Sequence, residues 1–98
     1  MTQNPTDDRL LTQVHPEPTA AAISLMRARI DEIDATIIRL WQERAEISRE
    51  IGTQRVAAGG TRLILSRENE ILERFQTAIG ADGTQLALLM LRAGRGPL

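Results

Sequence analysis

Two arginines occupy positions where a packed helix would carry apolar residues, and they are the first sign of chemistry in this sequence. Large apolar residues recur three and four apart from Ile23 through Met26, Ile30, Ile33, Ile37 and Leu40, and the pattern resumes at Ile47 and Ile51. The position that should continue it between Leu40 and Ile47 is Arg44, and Arg55 comes one turn beyond Ile51. On a helix, a separation of eleven residues falls within about 20° of three full turns, so both project from one face with α-carbons about 16 Å apart. Ser48 and Gly52 lie between them on that face. One inward arginine is most simply paired with a carboxylate of a neighbouring helix. The small-residue gap favours a ligand, because packing against protein alone is better served by Ile or Leu at 48 and 52. A guanidinium fork suits carboxylate or phosphate, so the expected ligand is a small anion with two acidic groups.

Arg67 and Glu68 extend the set. Arg67 stands in the first turn of a second predicted helix, where a positive charge opposes the helix dipole and serves helix stability poorly. Its neighbour Glu68 is an available acceptor. Arg27 precedes Arg44 by about 25 Å of helix, too far to share its site within one chain, but within reach of the other subunit's site in an antiparallel dimer.

The rest of the inventory excludes much. All twelve positive charges are arginine, and there is no cysteine and no tyrosine. Thiol nucleophiles, thiolate metal sites, disulfides and Schiff bases are therefore unavailable. The one histidine, His15, lies beside prolines in a polar segment, which leaves nothing from which to build a Ser-His-Asp triad or a histidine metal site. A net charge of −1 argues against nucleic acid as the main partner. The first eighteen residues hold no apolar run of signal-peptide or membrane-span length, and a cytoplasmic protein is expected.

The positioning elements follow from the same pattern. Residues 1–18 carry three of the four prolines and are expected to be a disordered tail, leaving 19–98 as one domain. Thr19 is a suitable N-cap, and no proline or glycine interrupts the chain until Gly52. The spacing predicts a helix of roughly 38 residues to about Ala57, ended by Ala58-Gly59-Gly60-Thr61, with a length near 57 Å. A compact domain of this size is only about 33 Å across, so the overhang calls for a second copy of the chain in an intertwined two-fold dimer. A second helix is expected from Ser66 as N-cap to Gly80. Asp82-Gly83-Thr84 reads as the next turn, before a third helix, apolar on every side over Leu86–Leu91, that ends at Gly94. The segment Arg92 to Leu98 reads as a mobile terminus outside the core and a regulatory contact. No segment alternates with period two; the expected fold is all-α with three helices per chain, the first very long.

The stretch from Met26 to Glu73 resembles the all-helical AroQ-class chorismate mutases. The matching positions are Arg27 in the early arginine motif, Glu43-Arg44 in the long helix, Gly52 with Arg55, and Arg67-Glu68 opening the second helix. The short length, the turn from Gly59 to Leu63 and the terminus from Leu91 to Gly96 look most like the small actinobacterial type. The resemblance implies the Claisen rearrangement of chorismate to prephenate, toward phenylalanine and tyrosine, with no cofactor and no metal. Carried over by position, Arg44, Arg67 and the other subunit's Arg27 would hold the carboxylates, Arg55 would donate to the ether oxygen, and Glu68 would accept from the ring hydroxyl. Ser48, Gly52 and Ile64 would line the substrate site. Ile64 stands where some members have an aspartate, and no glutamine aligns with the one that others send to the ether oxygen. The likeness therefore also implies an enzyme weakly active by itself and activated by DAHP synthase. An isochorismate-pyruvate lyase on the same scaffold, or a non-enzymatic dimeric helical adaptor, are the alternative readings.

Overall fold

The computed structural model of the chain describes residues 19–96. Among these it contains three helices and no strand: α1 (Ala20–Ala57), α2 (Leu65–Ile79) and α3 (Ala81–Arg95). The expected tail at 1–18 lies outside the described residues, as do Pro97 and Leu98. The chain divides into two units at Thr36/Ile37. The first holds the N-terminal part of α1, and the second its remainder with α2 and α3.

Helix α1 has the 38 residues that its sequence implies. Its first turn is capped as expected, with the Thr19 hydroxyl accepting from the Ala22 amide at 3.0 Å. At the other end Gly59 adopts φ +89°, the Gly60 amide donates to the Arg55 carbonyl at 2.7 Å, and the Gly59 amide donates to the Val56 carbonyl at 3.0 Å. This is a Schellman stop, which requires a residue free of the Cβ penalty at positive φ. Along the predicted stripe, Met26, Ile30, Ile37, Leu40, Ile47 and Ile51 each keep more than half of their surface exposed.

Helix α2 begins one residue before the predicted cap. Ile64 is extended and is the N-cap, its carbonyl accepting from the Glu68 amide at 3.0 Å, and no side chain caps the helix. Ser66 therefore lies inside the first turn. The correction has a simple cause: backbone geometry at Ile64 starts the helix, and Ile64 carries no polar signal that a reading for caps would find.

The turn between α2 and α3 is also corrected. Gly80 alone joins the two helices at φ +90°, its amide donating to the Gln76 carbonyl at 2.8 Å, and Asp82-Gly83-Thr84 already belong to α3. Gly83 is buried because a Cβ there would run into the Phe75 carbonyl and the Ile79 Cβ. The glycine is present for close helix packing and not for a turn. The core between α2 and α3 is Ile71, Ala87 and Leu91, with Leu72 and Phe75 against it. Leu86, Leu88 and Leu89 remain exposed, so within one chain α3 is buried on one face and not on every side.

The Gly83→Ala variant should lose about 1–3 kcal/mol of stability despite its better helix propensity, because the obstructing atom is backbone and cannot rotate away. Thermal unfolding measures this directly, and an unchanged midpoint would show that α2 and α3 have room to separate.

The C-terminal segment departs furthest from expectation. Helix α3 runs through Arg95 and is capped by Gly96 at φ +70°, and Gly94 is buried. A Cβ at Gly94 would stand 2.6 Å from the Ser48 hydroxyl, and the Arg49 guanidinium donates to the Ala93 carbonyl at 2.9 Å. Ala93, Gly94 and Gly96 are thus packed on α1 as part of the fold, while Arg92 stays exposed. A glycine-rich composition there reflects close approach of two helices.

Candidate active site

The second unit contains an open cleft of about 720 Å³, within the range of small-molecule sites. Arg44, Ser48, Gly52 and Arg55 line it from α1, Ile64 from the connecting segment, and Arg67 and Glu68 from the first turn of α2. These are seven of the eight positions expected from the sequence. Arg27 lies on the exposed surface of α1 in the first unit and is not among the lining residues.

Arg44 is half-buried, and among the described residues no carboxylate lies within ion-pair distance of it. Burial lowers its pKa from the ordinary arginine value, and the nearby cations Arg67 and Arg74 push in the same direction. A partly desolvated guanidinium without an acidic partner is costly, and an anionic ligand is the group that relieves it.

Arg55 is held by the loop that follows its own helix. Its Nε donates to the Thr61 carbonyl at 3.2 Å, and the Thr61 hydroxyl donates to the Leu63 carbonyl at 3.0 Å. Since the Gly60 amide also bonds the Arg55 carbonyl, the Gly59–Thr61 stop and the Arg55 side chain orient each other. The terminal guanidinium nitrogens are not used in this contact and remain for a ligand.

Arg67 pairs with Glu70 one turn on, at 2.9 Å, with both side chains more than half exposed. This explains how a cation is tolerated in the first turn of α2, and an exposed pair of this kind contributes little stability. Glu68 is engaged from a distant part of the chain: Arg95 donates to it through Nε at 2.9 Å and Nη2 at 2.7 Å. The bond to Glu68 raises the Arg95 pKa above its ordinary value.

The lining residues that sequence reasoning missed include Trp41, Arg62 and Arg95. Arg62 sits in what reads as an exposed loop, yet its Cγ and Nη1 lie 3.7 Å from the place a Cβ on residue 52 would take. The gap at Gly52 is therefore faced by Arg62, and the small Ser48 accommodates Gly94 of α3. The small residues serve protein packing as well as the cleft, which corrects the inference that only a ligand would need them. A signal for Arg95 was present, since it continues the four-residue spacing of Ala87 and Leu91. In all, five arginines and two glutamates line the cleft, a surplus suited to a ligand with two acidic groups.

Residues 26–89 match the family described as chorismate mutase type II. The intracellular chorismate mutase of Mycolicibacterium smegmatis is 53% identical over 73 residues, covering 74% of this chain and 70% of that protein. The protein of that name from Mycobacterium tuberculosis is 50% identical over 76 residues, covering 78% and 71%. Among solved structures, a chain of the non-covalent complex of DAHP synthase and chorismate mutase from Corynebacterium glutamicum, with bound transition state analog, superposes with a TM-score of 0.76. It is 41% identical, with 80% of this chain and 94% of that chain covered. The long arginine-bearing helix, the cationic cleft and these likenesses agree, and the chain belongs to the type II chorismate mutase family.

Proposed function

We propose that the cationic cleft is where this chorismate mutase binds chorismate and converts it to prephenate. The observation that carries the assignment is Arg44, half-buried, without an acidic partner among the described residues, in a cleft lined by four further arginines. Chorismate is a dicarboxylate, and its rearrangement is unimolecular, breaking the C–O ether bond as the new C–C bond forms. No nucleophile is required. Arg44 and Arg67 hold the carboxylates in the folded conformer, with Arg27 supplied by a second subunit, which removes much of the entropic part of the barrier. Arg55 donates to the ether oxygen as negative charge grows there, its direction maintained by the Thr61 carbonyl. Glu68 accepts from the ring hydroxyl, and Ser48, Gly52 and Ile64 shape the wall. Incubation with chorismate and, separately, with isochorismate tests this by absorbance. Loss of chorismate supports the mutase, pyruvate released from isochorismate supports a lyase, and neither supports a helical adaptor.

The working unit is an intertwined homodimer. Six large apolar side chains of the α1 stripe are more than half exposed in one chain, and burying the remaining surface of each is worth about 1 kcal/mol. A second copy presents the same stripe and covers it by two-fold symmetry. Light scattering after size exclusion should give twice the mass of the 10.9 kDa chain, and Ile30→Glu with Ile37→Glu should unfold it or reduce it to monomer.

The Corynebacterium complex pairs a chorismate mutase with DAHP synthase. By extension, this chain takes the cognate DAHP synthase as an activating partner, in the cytoplasm, as the name of its intracellular relatives supports. Among the described residues no helix is long and apolar enough to cross a membrane. Adding that synthase should raise kcat/KM through a better-formed cleft, and an unchanged kcat/KM in the presence of a proven complex would remove this partner role.

A further inference from the structure

Glu68 has to present a carboxylate to a neutral hydroxyl in a cleft whose other charged residues are mainly arginines, and its place on α2 does not by itself hold it there. It stands in the first turn of a helix that has no side-chain cap. The neighbouring Arg67 pairs with Glu70 and not with Glu68. The partner that does hold it comes from 27 residues away, in the last turn of α3. Arg95 meets the carboxylate with two parallel bonds, through Nε to one oxygen and Nη2 to the other, at 2.9 and 2.7 Å. Both side chains are largely shielded, at 25% and 15% exposed, and both line the cleft. The end of α3 is itself anchored, by Gly94 against Ser48, by the Arg49 bond to the Ala93 carbonyl and by the Gly96 cap.

We infer that Arg95 is a positioning residue for the rearrangement, holding the Glu68 carboxylate in the orientation that accepts the substrate's ring hydroxyl. The proposal rests on the role given to Glu68 above. A bidentate guanidinium fixes both the rotation and the plane of a carboxylate, which a single bond does not. Each carboxylate oxygen has two acceptor sites and gives only one to Arg95, so a hydroxyl can still be received. The pair therefore leaves the site open to substrate, and it supplies the second support that the uncapped first turn lacks. Discrimination for the hydroxyl thus depends on the terminal turn of α3.

The test uses two bicyclic ether dicarboxylates that differ only in carrying or lacking the ring hydroxyl. Binding to the full-length protein is read from the fluorescence of Trp41, the one tryptophan of the chain and a lining residue of the cleft. In the unaltered protein the hydroxylated compound should bind more tightly. In Arg95→Ala its affinity should fall roughly tenfold to a hundredfold, the usual effect of losing hydrogen bonds to a charged group, while the compound without hydroxyl changes less than about twofold. Arg95→Lys, which keeps a cation without the fork and preserves packing if the alanine variant unfolds, should fall between the two. Equal loss for both compounds in the folded variants would make the pair a structural tie only and overturn the proposal, as would no loss for either. Failure of the unaltered protein to distinguish the two compounds would instead remove the role of Glu68, on which the proposal depends.

Discussion

Arg55→Ala is expected to remain folded and to lose chorismate turnover by at least a hundredfold to a thousandfold, about 3 to 4 kcal/mol of transition-state stabilisation. The size follows from the role: a donor aimed at the ether oxygen matters little in the ground state and most when that oxygen carries charge. The fold should survive because, among the described residues, the exposed Arg55 side chain makes one bond, to the Thr61 carbonyl, while the Schellman stop uses the Arg55 backbone. Arg55→Lys should retain more activity, since an ammonium still places a charge near the oxygen, but it loses the fork that lets Thr61 orient one end while the other serves substrate. Steady-state kinetics with circular dichroism as the folding control decide the matter. Turnover unchanged in the alanine variant would remove Arg55 from the site.

The second large effect concerns Arg27, which lies on α1 in the first unit and is not among the lining residues of the cleft. Arg27→Ala and Arg44→Ala homodimers should each be nearly inactive. When they are mixed under conditions that permit subunit exchange, both mutations fall in one site of each heterodimer and the other site is complete. With random exchange of equal amounts, half the dimers are mixed and each has one intact site, so about a quarter of the unaltered activity should return. Mass spectrometry establishes that exchange took place. No recovery after exchange would mean that Arg27 serves its own chain or none, and the shared-site arrangement would fall with it.

The elements differ in how far they could be read before folding. Helix α1 was legible in full because its determinants are local: a threonine cap, thirty-two residues from Ala20 to Ile51 without glycine or proline, and a diglycine stop. The start of α2 was displaced by two residues, from a cap at Ser66 to one at Ile64, because Ile64 caps it with backbone alone. Gly83 was misassigned for a more instructive reason. Asp-Gly is a turn signal in isolation, but here the glycine answers the approach of Phe75 from another helix, a demand that no local pattern encodes. Gly94 repeats the lesson, since its neighbour is Ser48, forty-six positions earlier.

By itself the sequence determined that this chain would be helical, that arginine and carboxylate would be its main charged groups, and that Arg44, Ser48, Gly52 and Arg55 would share a face. Helical periodicity is a property of neighbouring residues, and it carries that much without knowledge of any other helix. Which cations meet one another was decided only by tertiary structure. Among the described residues Arg44 is left without an acid while Arg95 takes Glu68, the latter because Gly80, Gly83 and Gly94 let the helices approach closely; Arg62 comes to face Gly52 from the connecting segment. Pairings between residues 27 apart depend on that approach, and packing of side chains across helices, unlike the period of a single helix, is written in no one segment of the chain.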